Sequence, residues 1–390
     1  MGPIELRPGE GVWLSRLKIA NFRSIVSLEL DFRHRLTLLI GDNGAGKTTV
    51  LDAIAAVLRP DRRSDDDADV LSQGRTVGGV VAGETSIELT IRRATSTLRF
   101  GGPAGAVGSG SFGEAAEDWA KPRKVYYGAR RDLPNFDQLV DWFAAKDIEE
   151  ARQIRETSNL RYRQPQLESV RQAVSAMIPR TSNLRIDPAT ARLVTDEKAG
   201  DRVETFEVTQ LAGGLRAMLL LVADLAQLLV AQEGNSGTSC PSIVLIDEID
   251  LHLHPRWQLN VVRNLMDAFP QTQFILTTHS EEIIASVPSE CVVSLQAEGD
   301  GIVARSIPRV QGATFERVLT DAMQVPSPRP PEVQANLDAY WTFVDAGEGE
   351  SAAAVALRGQ LDELFRGTEP ELTRADLAIR RNRARRGIGP

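Results

Sequence analysis

Residues 41–48 read Gly41-Asp42-Asn43-Gly44-Ala45-Gly46-Lys47-Thr48, a loop of the form G-x-x-x-x-G-K-[ST]. The backbone N–H groups of Asn43, Gly44, Ala45, Gly46, Lys47, Thr48 and Thr49 can wrap a polyphosphate. Glycine permits the close approach and unusual dihedrals that such wrapping needs. Lys47 can reach the β- and γ-phosphates, and the Thr48 hydroxyl can ligate Mg²⁺. The apolar run Leu36-Thr37-Leu38-Leu39-Ile40 enters the loop, and residues 49–58 have helical spacing. The phosphates would then lie on a helix N-terminus, where the dipole favours anions. The alternative is a glycine-rich turn that happens to carry a lysine.

A second constellation follows. Ser242-Ile243-Val244-Leu245-Ile246 is apolar throughout and ends in Asp247-Glu248. That composition suits a buried parallel strand, whose C-terminal end is where ligands bind in an open α/β sheet. Asp247 would hold Mg²⁺ directly or through water, and Glu248 could polarise an attacking water. Strand-end acids also serve as helix caps, which is the structural alternative. Phe274-Ile275-Leu276-Thr277-Thr278 is another apolar strand, ending at His279, within reach of a γ-phosphate. His252 and His254 lack a third ligand at a spacing that zinc would use. Ala212, Gly213 and Gly214 precede a long apolar helix pattern over residues 215–231, either an ordinary glycine-rich helix entry or a second anion site. One nucleotide needs one phosphate loop, so a second such helix start suggests a site shared with another subunit.

The elements that must position these groups are legible in outline. Residues 13–32 alternate as two strands with a turn at Asn21-Phe22-Arg23-Ser24, and residues 85–100 again read as strands. Residues 59–79 are polar, and 101–113 and 232–239 are loop-like. Residues 135–178 are largely helical by their apolar spacing, a lobe inserted into the sheet, and Val125-Tyr126-Tyr127 is a short strand. The boundaries expected are 1–133 for the first part of the nucleotide domain, 134–204 for the helical lobe, 205–325 for the second part, and 326–390 for a helical tail after a proline-rich run. The 390 residues carry a net charge of −8, which argues against a polycation. The arginines at 374, 380, 381, 383, 385 and 386 nevertheless form a basic patch, either a solvated face or a dock for an acidic partner or nucleic acid. Cys240 and Cys291 are isolated thiols that fit a reducing compartment. Neither a signal-peptide core nor a membrane-length apolar run is evident, so a cytoplasmic protein without membrane association is expected.

Taken in order, Asn21-Phe22-Arg23, the phosphate loop, Leu211-Ala212-Gly213-Gly214, Ile246-Asp247-Glu248 and Thr277-Thr278-His279 resemble the ABC-type ATPases of the SMC/RecF-like group. The continuation from Ile249 to Gln258 is similar to Septu-type and retron-associated anti-phage ATPases. The resemblance implies an α/β P-loop NTPase of ABC type, a mixed sheet with an inserted helical lobe. It also implies ATP and Mg²⁺ as cofactors, and a head-to-tail homodimer or higher oligomer sandwiching ATP. In that reading Lys47, Thr48 and Arg23 bind nucleotide, and Thr48 and Asp247 hold the metal. Glu248 is the base and His279 the switch residue, while Ala212, Gly213 and Gly214 meet the partner's γ-phosphate. His254 stands where transporters carry the aspartate of the D-loop.

Departures from the pattern matter. Ala212 stands where the signature usually has serine, and Leu215 replaces a polar residue. A lost charge-assisted hydrogen bond is worth about 1.5–3 kcal/mol, so slow hydrolysis is expected. The usual Q-loop glutamine is not placed by its spacing, and Gln73 is a candidate for it. No acidic cluster of a nuclease follows the core, so the expected role is to scaffold or control a separate nuclease or toxin. The alternative is a RecF-like repair ATPase that binds DNA; a transporter subunit does not suit residues 252–255.

Overall fold

The computed structural model describes residues 12–58, 76–77, 80–81, 86–93, 96–103, 123–128, 136–178, 181–199, 202–230, 241–251, 253–299, 301–307, 309–325, 327, 329–366 and 368–385. The chain divides into a unit of residues 1–323 and a second of residues 324–390. No helix among the described residues is long and apolar enough to cross a membrane.

The first unit opens with β1 (Val12–Phe22), β2 (Ile25–Asp31) and β3 (Leu36–Ile40), then α1 (Lys47–Leu58). The two-residue strands β4 (Thr76–Val77) and β5 (Val80–Val81) precede β6 (Ser86–Arg93), β7 (Ser96–Pro103) and β8 (Arg123–Tyr127). Next come α2 (Phe136–Thr157), α3 (Pro165–Met177), β9 (Thr181–Ile186), β10 (Leu193–Ala199), β11 (Arg202–Glu207) and α4 (Gly213–Val230). The unit continues through β12 (Ser242–Ile246), α5 (Pro255–Ala268), β13 (Thr272–Thr277) and α6 (Glu281–Ser286). It finishes with β14 (Val292–Glu298), β15 (Gly301–Ser306) and the single turn α7 (Phe315–Arg317).

A six-stranded sheet in the order β15-β14-β3-β13-β12-β8 carries the site. Its pairings are parallel except for β14 with β15. Every residue of β3, β12 and β13 is buried, as two covered faces require. Because successive side chains alternate, Leu36, Leu38, Ile40, Val244, Ile246, Phe274 and Leu276 pack with α3, α4 and α5. Leu39, Ile243, Leu245 and Ile275 face the other way, into a core shared with α1 and β1. That second core is roofed by the antiparallel sheet β2-β1-β6-β7. Val50, Leu51 and Ile54 of α1 enter it, each buried side chain contributing about 1.5–3 kcal/mol.

The parallel register has a direct consequence. Leu38 pairs with Leu276, Leu276 with Ile246 and Ile246 with Tyr127. The residues that follow β3, β12 and β13 therefore emerge at one edge of the sheet.

The lobe expected to be helical over 134–204 is helical only to Met177. α3 is specified locally by the Gln164 side chain, which accepts from the Leu167 amide, and by Pro165 in the first turn. Leu167, Val170, Val174 and Met177 form its buried stripe. β9, β10 and β11 instead form an antiparallel sheet, β11-β10-β9, because Leu184, Leu193 and Thr195 bury a sheet face rather than a helical stripe.

In the second unit, α8 (Pro331–Ala346), α9 (Ala352–Phe365) and α10 (Pro370–Arg385) bury Leu337, Tyr340, Val344, Ala354, Leu361, Leu372 and Ala375. Arg358 donates to Asp362, Asp376 and Tyr340, tying the three helices together. Those bonds raise the Arg358 pKa.

Candidate active site

The loop after β3 leaves the sheet through Gly41, at φ 144°. A Cβ there would stand 2.3 Å from the Leu295 carbonyl oxygen, and one on Gly46 (φ 89°) would stand 2.6 Å from Ile302 Cδ1. Gly41 requires glycine because the short contact is with backbone, and Gly46 because its positive φ strains any residue with a Cβ. The Ala45 amide donates to the Asp42 carbonyl (3.1 Å), and the Val50 amide donates to the Gly46 carbonyl (2.9 Å) to begin α1. Asn43 and Gly44 are exposed, Thr49 is half-buried, and Ala45 and Gly46 are buried.

Lys47 is 7% exposed, and its Nζ donates to the carbonyls of Gly41 and Asp42, both at 2.9 Å. Burial pushes the ammonium below its ordinary pKa, against the pull of Asp247, Glu248, Asp42 and Asp250. The lysine thus lies across its own loop, a buried cation that an anion would complement, with four carboxylates in its surroundings.

Four residues from three elements form one hydrogen-bonded chain. Thr48 Oγ1, on the first turn of α1, donates to Asp247 Oδ2 at 2.7 Å. Thr277 Oγ1, at the end of β13, donates to Asp247 Oδ1. The same Thr277 oxygen accepts the Glu248 amide at 2.7 Å. The Asp247 amide donates to the Tyr127 carbonyl at 2.9 Å, and Glu248 takes a left-handed backbone at φ 50°. Glu248 thus follows Asp247 through a left-handed turn, and both carboxylates act electrostatically on Lys47. Asp247 is 1% exposed and Glu248 half-buried.

His279 lies at the same edge. Its amide and the Thr278 hydroxyl both donate to Asp250 Oδ1, at 3.3 and 2.5 Å. Ser280 caps α6 by accepting the Ile283 amide, and donates to Gln258 of α5 at 2.9 Å. His254 caps α5, its Nδ1 accepting from the Arg256 amide at 3.3 Å.

Oxygen donors alone converge here, a hydroxyl and a carboxylate 2.7 Å apart. That set suits a hard, octahedral cation such as Mg²⁺, which takes one or two protein oxygens and keeps its remaining positions for water and phosphate. Arg23 stands elsewhere. Its Nη1 meets Asp52 Oδ2 at 2.5 Å, one turn beyond Thr48 on α1, and Tyr126 donates to the other oxygen of Asp52 at 2.7 Å. Ala212 and Gly213 are exposed at the start of α4, and the Ala212 carbonyl accepts the Arg216 amide at 2.9 Å. Gly213 and Gly214 occupy the first helical positions, whose N–H groups have no acceptor within the helix.

Sequence reasoning named Lys47, Thr48, Asp247, Glu248 and His279, and the structure gathers them at one sheet edge. It missed the parts played by Thr277, Asp250, Asp52 and Tyr126. A threonine closing an otherwise apolar strand beside an acid was the available signal for Thr277. Gln73 and His252 lie outside the described residues.

Two family models match the chain: "AAA domain" over residues 16–189, and "AAA domain, putative AbiEii toxin, Type IV TA system" over residues 108–285. The Septu protein PtuA of Bacillus mycoides is 26% identical over 358 residues, covering 86% of this chain and 48% of the relative. The retron Ec83 probable ATPase of Escherichia coli is 33% identical over 220 residues, 55% of this chain and 39% of the relative. The chain thus spans about half or less of the length of these curated relatives. Among solved structures, the SMC head domain from Thermotoga maritima aligns with a TM-score of 0.45 and 17% identity, over 75% of this chain and 98% of that one. The chain thus carries its ordered motifs at one edge of a mixed sheet and is similar to AAA-domain ATPases and to the Septu and retron proteins.

Proposed function

We propose that this chain binds and hydrolyses ATP with Mg²⁺, and that two copies close head-to-tail around two nucleotides. The observation that carries the reading is the bonded chain Thr48–Asp247–Thr277–Glu248. It couples the phosphate loop to the proposed base through one buried hydroxyl. In this account Lys47 turns from its loop carbonyls to the β- and γ-phosphates. Thr48 and Asp247 hold Mg²⁺, which would neutralise phosphate charge. Glu248 orients and deprotonates the attacking water, and His279, anchored through Asp250, holds the γ-phosphate side of the site. Gly213 and Gly214 of the partner copy supply N–H groups to that phosphate. Ala212 offers no hydroxyl there, so turnover is slow and ATP acts chiefly as a clamp.

The clamp would control a separate nuclease or toxin in cytoplasmic anti-phage defence, as the likeness to the Septu and retron proteins suggests. The test is Glu248→Gln. With ATP and Mg²⁺ it should bind nucleotide, lose turnover by roughly 10²-fold or more, and accumulate dimers by sedimentation velocity. Lys47→Ala should fail to bind nucleotide, and therefore neither turn it over nor dimerise. A Glu248→Gln protein that stays monomeric with bound ATP removes the sandwich, and one with full turnover removes the base.

A further inference from the structure

The two adjacent tyrosines of β8 stand outside every motif that the function uses, yet both are buried and both end on a buried carboxylate. Tyr126 donates to Asp52 of α1 at 2.7 Å, and Tyr127 donates to Asp224 of α4 at 2.8 Å. Asp52 and Asp224 are 7% and 3% exposed. We propose that Tyr126 and Tyr127 are positioning residues that tie the phosphate-loop helix and the signature helix to one strand, each tyrosine fixing the placement of its own helix.

The geometry follows from strand alternation. Neighbouring residues of a strand point to opposite faces, so Tyr126 enters the core shared with α1 while Tyr127 enters the core shared with α4. β8 is the edge strand of the six-stranded sheet and pairs in parallel with β12, Tyr126 opposite Leu245 and Tyr127 opposite Ile246. The Tyr127 carbonyl also accepts the Asp247 amide at 2.9 Å. One strand therefore contacts three parts of the site. Through Asp52 it reaches α1 and Arg23, through its carbonyl it reaches the metal-side carboxylate, and through Asp224 it reaches the helix that begins at Gly213.

Packing alone does not explain the hydroxyls. Phenylalanine would fill either place, whereas a buried carboxylate is costly unless it is bonded. Two such carboxylates, one on each side of one strand, make both helices sensitive to the position of β8. The side chains divide the work. Tyr126 governs how firmly the nucleotide is gripped, and Tyr127 governs how the signature is presented to a second copy. The inference rests on the proposed sandwich.

The experiment uses the full chain in the Glu248→Gln background. A fluorescent ATP analogue is titrated at protein concentrations below self-association, and ATP-driven dimerisation is followed separately by sedimentation velocity. Tyr127→Phe should leave nucleotide affinity within about twofold and weaken dimerisation roughly tenfold. Tyr126→Phe should do the reverse, weakening nucleotide binding roughly tenfold and leaving dimerisation at saturating ATP within about twofold. Tyr127→Phe combined with Asp224→Leu removes the tie from both ends, and dimerisation should stay weak. The inference is overturned if Tyr127→Phe dimerises like its parent, if both tyrosine variants shift both quantities alike, or if the double variant dimerises normally. A parent that fails to dimerise removes the sandwich itself and the Tyr127 half with it. A dimerising parent with an indifferent Tyr127→Phe removes this inference alone.

Discussion

Replacing Thr277 by valine removes one oxygen and alters almost nothing else, since the side chain is fully buried and the two residues are nearly isosteric. That oxygen makes two bonds. It donates to Asp247 Oδ1, and it accepts the Glu248 amide at 2.7 Å. Losing a bond to an ionised group costs about 1.5–3 kcal/mol, and an unpaired buried N–H adds about 1–3 kcal/mol. Both losses fall in one network and are not additive, so about 3 kcal/mol in total is the reasonable expectation. For a unit of this size that corresponds to a fall in melting temperature of roughly 4–5 °C. Thr277→Ser keeps the oxygen and loses one methyl group, which costs about 1 kcal/mol. On the proposed mechanism the valine variant also frees the backbone at Glu248. A displacement of about 1 Å there should lower kcat roughly 10²-fold with a smaller change in nucleotide affinity. Differential scanning fluorimetry and phosphate-release kinetics on the wild type, valine and serine variants check both arms. A valine protein that melts within about 1 °C of wild type, or a serine protein that is no better than valine in turnover, would refute the reasoning.

Two other outcomes follow from the same site. An added Cβ on Gly213 meets nothing within 4 Å, so Gly213→Ala should fold with unchanged or slightly higher stability, up to about 1 kcal/mol. If its N–H faces a partner's phosphate, ATP-dependent dimerisation should nevertheless weaken, and a variant that dimerises as the wild type does contradicts the signature assignment. The Lys47 ammonium sits below its ordinary value of 10.5 because it is buried. Phosphate beside it favours the charged form, so binding takes up a proton once the free lysine starts to lose its own. Nucleotide affinity should be full at neutral pH and should decline with rising pH before 10.5 is reached. An affinity that stays flat to that point, in a titration with the folded state monitored, argues against lysine contact with phosphate.

The chemistry of the site is local in sequence, and so it could be read there. Gly41, Gly46, Lys47 and Thr48 lie within eight residues because one loop must deliver backbone amides, a cation and a hydroxyl to one polyphosphate. Asp247 and Glu248 announce themselves by ending an apolar run, since a strand buried on both faces has no other use for charge. Within the lobe expected over 134–204, β9, β10 and the start of β11 are strands instead, because the sheet they form alternates weakly, with β11 exposed along most of its length.

What the fold alone decided is which separated residues meet. Sequence determines that Thr277 closes a strand and that Tyr126 and Tyr127 sit on another. It does not determine that parallel register sets Thr277 beside Asp247, or that alternation sends the tyrosines to different helices. Those meetings depend on strand order and on the phase of each helix, which are set by the packing of two cores at once. Hydrogen bonds between residues far apart in the chain form only after that packing has brought their strands and helices into place.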